Sequence, residues 1–246
     1  MHNYHPAVEL PADLPRKAFR ARGANVVRCE SCRLPKEVCI CAYRHQVPAG
    51  VEVWLIMHRE EAFKPSNTGR LIADVLPSTQ IFEWHRTQPP ASLLARLQDP
   101  AYQPYLIFPA DETKDQARLK PFERDNGKTP VFVILDGTWR QARRMFRHSV
   151  WLQQLPILEI TPAASSDYEL REAAEEDHLC TAEVGIELLN IAREPAAEVL
   201  RHYFRVFNVH YSAGRSGTPL AKAEESRRWL TEAMNTQVSD TESASV

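Results

Sequence analysis

Two stretches of this chain carry residue types at spacings suited to chemistry. The first runs from Cys29 through Cys32 and Cys39 to Cys41, a C-x2-C-x6-C-x-C pattern. Four thiolates so close together suit a tetrahedral zinc ion. No histidine or aspartate lies among them, so the site reads as closed and structural. The second stretch is Val131 to His148, VFVILDGTWRQARRMFRH. Its β-branched apolar start predicts a strand covered on both faces. Asp136 falls at the strand's carboxyl end, where open α/β sheets place ligands. Gly137 permits a tight turn. Thr138, with Gln141 three residues on, has the pattern of a capping box.

The helix that follows is two-faced. Trp139, Ala142, Met145 and Phe146 share one side, and Arg140, Arg143, Arg144 and Arg147 share the other. The unit therefore offers a carboxylate, a helix amino end and a basic ridge suited to phosphates. An ordinary βα unit with a solvated arginine face would explain the same residues.

The elements that must position these residues follow from periodicity. Apolar runs predict strands at Val51–His58, Gln80–Trp84, Tyr105–Phe108, Val131–Leu135 and Pro156–Ile160. Helices are expected from Thr68 as cap to Val75, around Leu93–Leu97, from Thr138, from Cys180 to Ile191 and from Pro195 to about Val209. A short helix near Leu220–Leu230 and an unstructured tail complete the chain. This alternation predicts an α/β fold, a mainly parallel sheet flanked by helices with its polar motifs gathered at one edge. The organisation expected is a basic arm and zinc-binding module over 1–48, a catalytic domain over 49–211 and a tail over 212–246.

Composition narrows the function classes. Of 246 residues, 43% are apolar and 25% charged, and the net charge is −2, so only local clustering of basic residues suits a nucleic acid. No run is long enough to span a bilayer, and the amino-terminal segment lacks an apolar signal core. A cytoplasmic protein with no membrane partner is expected; the sequence does not fix its oligomeric state. In that setting clustered cysteines argue for metal rather than disulfides. There is no G-x-G-x-x-G after the first strand and no Walker A motif.

Six ordered motifs carry a resemblance. They are the cysteine set, Asn67-Thr-Gly-Arg-Leu71, Pro109-Ala-Asp-Glu112, Asp136-Gly-Thr-Trp139, Tyr168-Glu-Leu-Arg171 and Cys180-Thr-Ala-Glu-Val184. Together, over nearly the whole folded part, they resemble the DTW-domain family, most closely its bacterial tRNA-uridine aminocarboxypropyltransferases. The resemblance implies a SPOUT-like fold in which a C-terminal knotted segment holds the cofactor. It also implies transfer of the 3-amino-3-carboxypropyl group from S-adenosylmethionine to N3 of a uridine in the tRNA variable loop. Under this reading Pro109, Asp111, Thr138, Trp139 and Thr181 face the cofactor, and the arginine ridge faces tRNA.

The uridine imide must lose a proton to become nucleophilic, which calls for a positioned carboxylate. Asp136 is the first candidate for base or base-orienter, with a contact to the donor's ammonium or ribose as its alternative role. Asp111 and Glu183 are the rival carboxylates. Some members of the family have serine where this chain has Cys180. Cysteine caps poorly, so Glu183 is either a weaker structural partner here or freer for chemistry. His58 reads as a satisfied strand-end histidine, and Trp139 as core or as a stacking platform. Two other functions fit the same features: an S-adenosylmethionine-dependent RNA methyltransferase, and a zinc-containing RNA-binding adaptor without catalysis.

Overall fold

The structure is a computed structural model that describes residues 8–9, 26–110, 114–125, 127–160 and 179–243, with backbone alone at 8–9 and 238–243. Six strands form one sheet, every pairing parallel: β1 (Val8–Glu9), β2 (Glu52–His58), β3 (Gln80–Trp84), β4 (Tyr102–Ile107), β5 (Thr129–Asp136) and β6 (Ile157–Leu158). Their order is β1-β3-β2-β5-β4-β6, which puts β5 between β2 and β4. The five strands expected from apolar periodicity all form.

Alternate residues of the central strands face two apolar layers, because successive side chains point to opposite faces. Val53, Leu55, Met57, Phe132 and Ile134 pack with residues of three helices: α1 (Gly69–Val75), α4 (Thr181–Ile191) and α5 (Ala196–Ser216). Trp54, Ile56, Val131, Val133 and Leu135 pack instead with Leu93 of α2 (Ala91–Gln98) and with Ala142 and Met145 of α3 (Trp139–His148). Sealed on both faces, these strands need the unbroken apolar runs the sequence shows.

The cysteine segment is not an outlying appendage. Cys32, Leu34 and Ile40 are buried in the same apolar layer as α1, α4 and α5. At the other end, the expected short helix and unstructured tail give way to one helix, α6 (Glu224–Ser243), after a 3-10 turn at Leu220–Ala223. Leu230 is fully buried in that layer, and the ring of Trp229 stacks on His202 of α5 at 4.2 Å. No glycine or proline follows Pro219, so once this turn is anchored nothing in the sequence stops the helix. Among the described residues, no helix is long and apolar enough to cross a membrane.

Candidate active site and metal centre

Asp136 ends β5 and is 2% exposed. Its Oδ2 accepts from Asn67 Nδ2 at 2.6 Å, and its Oδ1 accepts from Thr181 Oγ1 at 2.6 Å. One carboxylate thus ties the loop before α1 and the first residue of α4 to the middle of the sheet. A proton on Oδ2 would point at the Asn67 NH2, which only donates, whereas the Thr181 hydroxyl can donate to Oδ1 or accept from it. Gly69 makes the approach possible. A Cβ there would stand 2.8 Å from Asp136 Oδ2.

The helix ends around this carboxylate are capped in ways the sequence showed only in part. Thr68 precedes α1 as expected, but its hydroxyl does not cap that helix. It accepts from Ala182 N–H of α4 at 3.3 Å, while Asn67 Oδ1 takes the Arg70 N–H of α1 at 3.2 Å. At α4, Glu183 Oε2 accepts the Cys180 N–H at 2.7 Å and closes a capping box. Of the two roles expected for Glu183, a weaker structural partner or a carboxylate freer for chemistry, this bond favours the structural one. Burial also pushes the Cys180 thiol well up from its ordinary value.

The capping box expected at α3 is present. Gln141 N–H donates to Thr138 Oγ1 at 3.3 Å, and Thr138 N–H donates to Gln141 Oε1 at 2.8 Å. Gly137 does not use a left-handed backbone for this turn, since Gly127 and Gly217 are the positive-φ glycines. It supplies room, because a Cβ at 137 would lie 3.1 Å from Gln141 Cβ.

The nominated residues gather at one edge unevenly. Asp136, Thr181 and Glu183 converge at the start of α4, with Thr138 and Trp139 on the adjoining turn. Thr138 is exposed and Trp139 half-buried. Pro109 is exposed just beyond β4, next to the Ala110 N–H that donates to Glu159 Oε1 at 2.8 Å. Asp111 and the Tyr168–Arg171 motif lie outside the described residues, as does most of the basic arm. Arg140, Arg143, Arg144 and Arg147 are all exposed, and none has an ion-pair partner among the described residues. Sequence reasoning gave no role to Asn67 or Gln141 beyond motif and cap. It also passed over Glu61, a fully buried carboxylate paired with Lys64. Asn67 stood inside a quoted motif, but its partner lies 69 positions away.

His58 ends β2 beside this edge. Its ring stacks on Trp84 with centroids 6.2 Å apart and planes 21° apart. Burial holds the imidazole below its ordinary value; Glu60 and Glu61 oppose that, while Lys64 and Arg59 add to it. The ring is therefore neutral at pH 7.

The four cysteine sulfurs form a second centre, all within 4.8 Å of one another. Cys29 and Cys41 sulfurs are 3.6 Å apart, and those of Cys32 and Cys39 are 3.7 Å apart. Four thiolates at about 2.3 Å from one tetrahedral ion would stand about 3.8 Å from each other, so the donor set fits a metal ion. Burial raises the Cys29 thiol, but backbone N–H groups of Cys32 and Ser31, with the thiols of Cys39 and Cys41, outweigh that and lower it to about 7, while burial pushes Cys32 and Cys41 up. Such amides favour a thiolate. Arg33, at φ 62°, makes the turn that lets the chain wrap the sulfurs.

Comparison with known proteins agrees with this arrangement. Residues 26–212 match the DTW domain. The curated relatives include tRNA-uridine aminocarboxypropyltransferase 2 of Macaca fascicularis, 26% identical over 66% of this chain and 55% of its own length. The Drosophila melanogaster protein of that name is 26% identical over 67% of this chain and 66% of its own. The Mus musculus protein is 25% identical over 66% and 55%. This chain thus spans between about half and two thirds of the length of the relatives it matches. No solved structure matches. The meeting of three motifs at one sheet edge, the cysteine cluster before them and a match over most of the sequence lead to one conclusion: this chain belongs to the DTW-domain family.

Proposed function

We propose that this protein modifies tRNA, transferring the 3-amino-3-carboxypropyl group of S-adenosylmethionine to N3 of a uridine in the variable loop. The observation that supports this best is the convergence of family motifs on Asp136. Asn67, Gly69, Thr181 and Asp136 come from three of those motifs and meet at one strand end. The relatives bearing this activity in their names are 26% identical over about two thirds of this chain. In the step itself, N3 gives its proton to solvent and then bonds to the γ-carbon of the methionine moiety as the carbon–sulfur bond breaks. The electron pair goes to the sulfonium, which leaves as neutral methylthioadenosine. With so good a leaving group, positioning carries most of the catalysis.

Asp136 then serves as the positioning residue that fixes the pocket wall, since both oxygens are already held by donors. Pro109, Thr138, Trp139 and Thr181 serve the donor side. Glu183 supports α4 through its cap. The arginines of α3 take tRNA phosphates. The cysteine centre holds structural zinc, and a SPOUT-like, knotted arrangement of the sheet is the reading of the fold that goes with this chemistry. The test is incubation with tRNA and S-adenosylmethionine followed by mass spectrometry of both products. Methylthioadenosine with an alkylated uridine is the predicted result. S-adenosylhomocysteine would replace this reading with a methyltransferase. Tight tRNA binding without any cofactor binding would replace it with an adaptor.

A further inference from the structure

The tautomer of His58 can be derived from the cap of α3. The starting point is a donor of fixed identity. Thr138 backbone N–H donates to Gln141 Oε1 at 2.8 Å, so the amide oxygen faces the helix start. Gln141 Nε2 is then turned toward His58, 3.1 Å from Nδ1. An amide NH2 only donates, so Nδ1 must present its lone pair. The Glu60 N–H is directed at the same nitrogen from 3.5 Å, a second donor and no acceptor. A neutral imidazole accepting at Nδ1 carries its proton on Nε2. Stacking on Trp84 fixes the ring plane, and Gly137 leaves space beside it, where a Cβ would lie 3.5 Å from His58 Cβ. Nε2 has no hydrogen-bond partner among the described residues.

We propose that His58 is a neutral hydrogen-bond donor, offering Nε2–H to a uracil carbonyl that flanks N3. This rests on the transfer reading above. As N3 gives its proton to solvent, negative charge spreads onto the flanking carbonyl oxygens. A fixed N–H donor there stabilises that charge as it develops. The anionic N3 then attacks the γ-carbon, the carbon–sulfur bond breaks, and the pair stays with sulfur. His58 neither gains nor loses a proton. The charged groups that act on the ring are Glu60, Glu61, Lys64 and Arg59 of the adjoining loop. Its other contacts, Trp84 of β3 and Gln141 of α3, are neutral.

The test joins kinetics to a tautomer measurement. Nitrogen-15 NMR of the imidazole in the full chain is expected to show the Nε2–H form at pH 7.5. An Nδ1–H form would overturn the proposal whatever the enzyme's activity. His58→Phe keeps a ring against Trp84 and removes the donor, and its kcat should fall by roughly 10²-fold. His58→Gln restores an N–H near the same point and should recover most of that loss. Gln141→Glu places an acceptor at Nδ1, draws the proton there and should lower kcat with the His58 side chain intact. Wild-type turnover by His58→Phe would overturn the proposal, as would a loss carried entirely by weaker S-adenosylmethionine binding in calorimetry. Failure of the wild-type protein to release methylthioadenosine would sink the transfer reading, and with it the uracil contact, while the NMR result still decides the tautomer.

Discussion

Cys29 and Cys41, at the ends of the cysteine cluster, are separated by 12 positions, whereas Asp136 takes its donors from 69 positions upstream and 45 downstream. The first centre is made by local spacing and a turn. The second exists only once β5 lies beside β2 and the helices have docked. The two are nevertheless joined through α1. Asp74 of that helix pairs with Arg44, next to the cysteine segment, at 2.8 Å and accepts from Tyr203 Oη of α5 at 3.0 Å. Arg70, buried over the Phe207 ring at 5.5 Å, donates its backbone N–H to the Asn67 side chain that also holds Asp136. A self-contained centre thus braces the helix on which the assembled centre depends.

This contrast predicts a ranking of effects. Chelation of the metal, or Cys32→Ser, should be the most damaging and cost more than about 4 kcal/mol. Thermal denaturation with metal content measured in parallel reads this, and an unchanged melting temperature after complete metal removal would break the structural assignment. Asp136→Asn should leave metal content intact. It replaces one acceptor oxygen with an NH2, which faces the Asn67 NH2 or forces the Thr181 hydroxyl to turn and accept, at a cost of up to about 3 kcal/mol. Turnover should fall at least 10²-fold, as expected when positioning is lost.

Gly69→Ala tests the same centre from below. Its Cβ would stand 2.8 Å from Asp136 Oδ2, so α1 or the carboxylate must shift, at about 1–3 kcal/mol. An unperturbed melting curve would show that the close approach is not needed. Replacing Arg140, Arg143, Arg144 and Arg147 with glutamine should change stability least, by about 0.5 kcal/mol or less. It should nonetheless weaken tRNA binding and lower its salt slope by about 0.9 for each phosphate that is no longer neutralised. An unchanged slope would return the ridge to ordinary surface.

The pH response separates His58 from the carboxylates. Its folded-state value lies below the ordinary 6.5, chiefly through burial. The neutral form therefore dominates above 6.5 and is lost as pH falls through the lower folded value. Below that point Nδ1 gains a hydrogen that faces the Gln141 amide. Turnover should fall more steeply on the acid side of that value than it does in His58→Gln, where only depletion of the N3 anion remains.

What could be read from the chain follows the same division. The four-cysteine cluster, the five longer apolar segments and the Thr138–Gln141 cap depend on neighbours within a few positions, and pattern reveals such features. The role of Thr68 escapes pattern because its hydroxyl serves Ala182 of another helix. Asn67 and Gln141 look like motif and cap residues, since their partners Asp136 and His58 are brought close only by sheet order. The helix at the tail escapes it too, because a polar composition hides the anchor that Trp229 and Leu230 supply.

The most direct test of the central claim is product analysis by mass spectrometry, comparing the wild-type protein with Asp136→Asn on tRNA and S-adenosylmethionine. Methylthioadenosine and alkylated uridine should form in equal amounts from the wild type, and neither above background from a folded, metal-loaded Asp136→Asn. Near-normal product from that variant would contradict that claim.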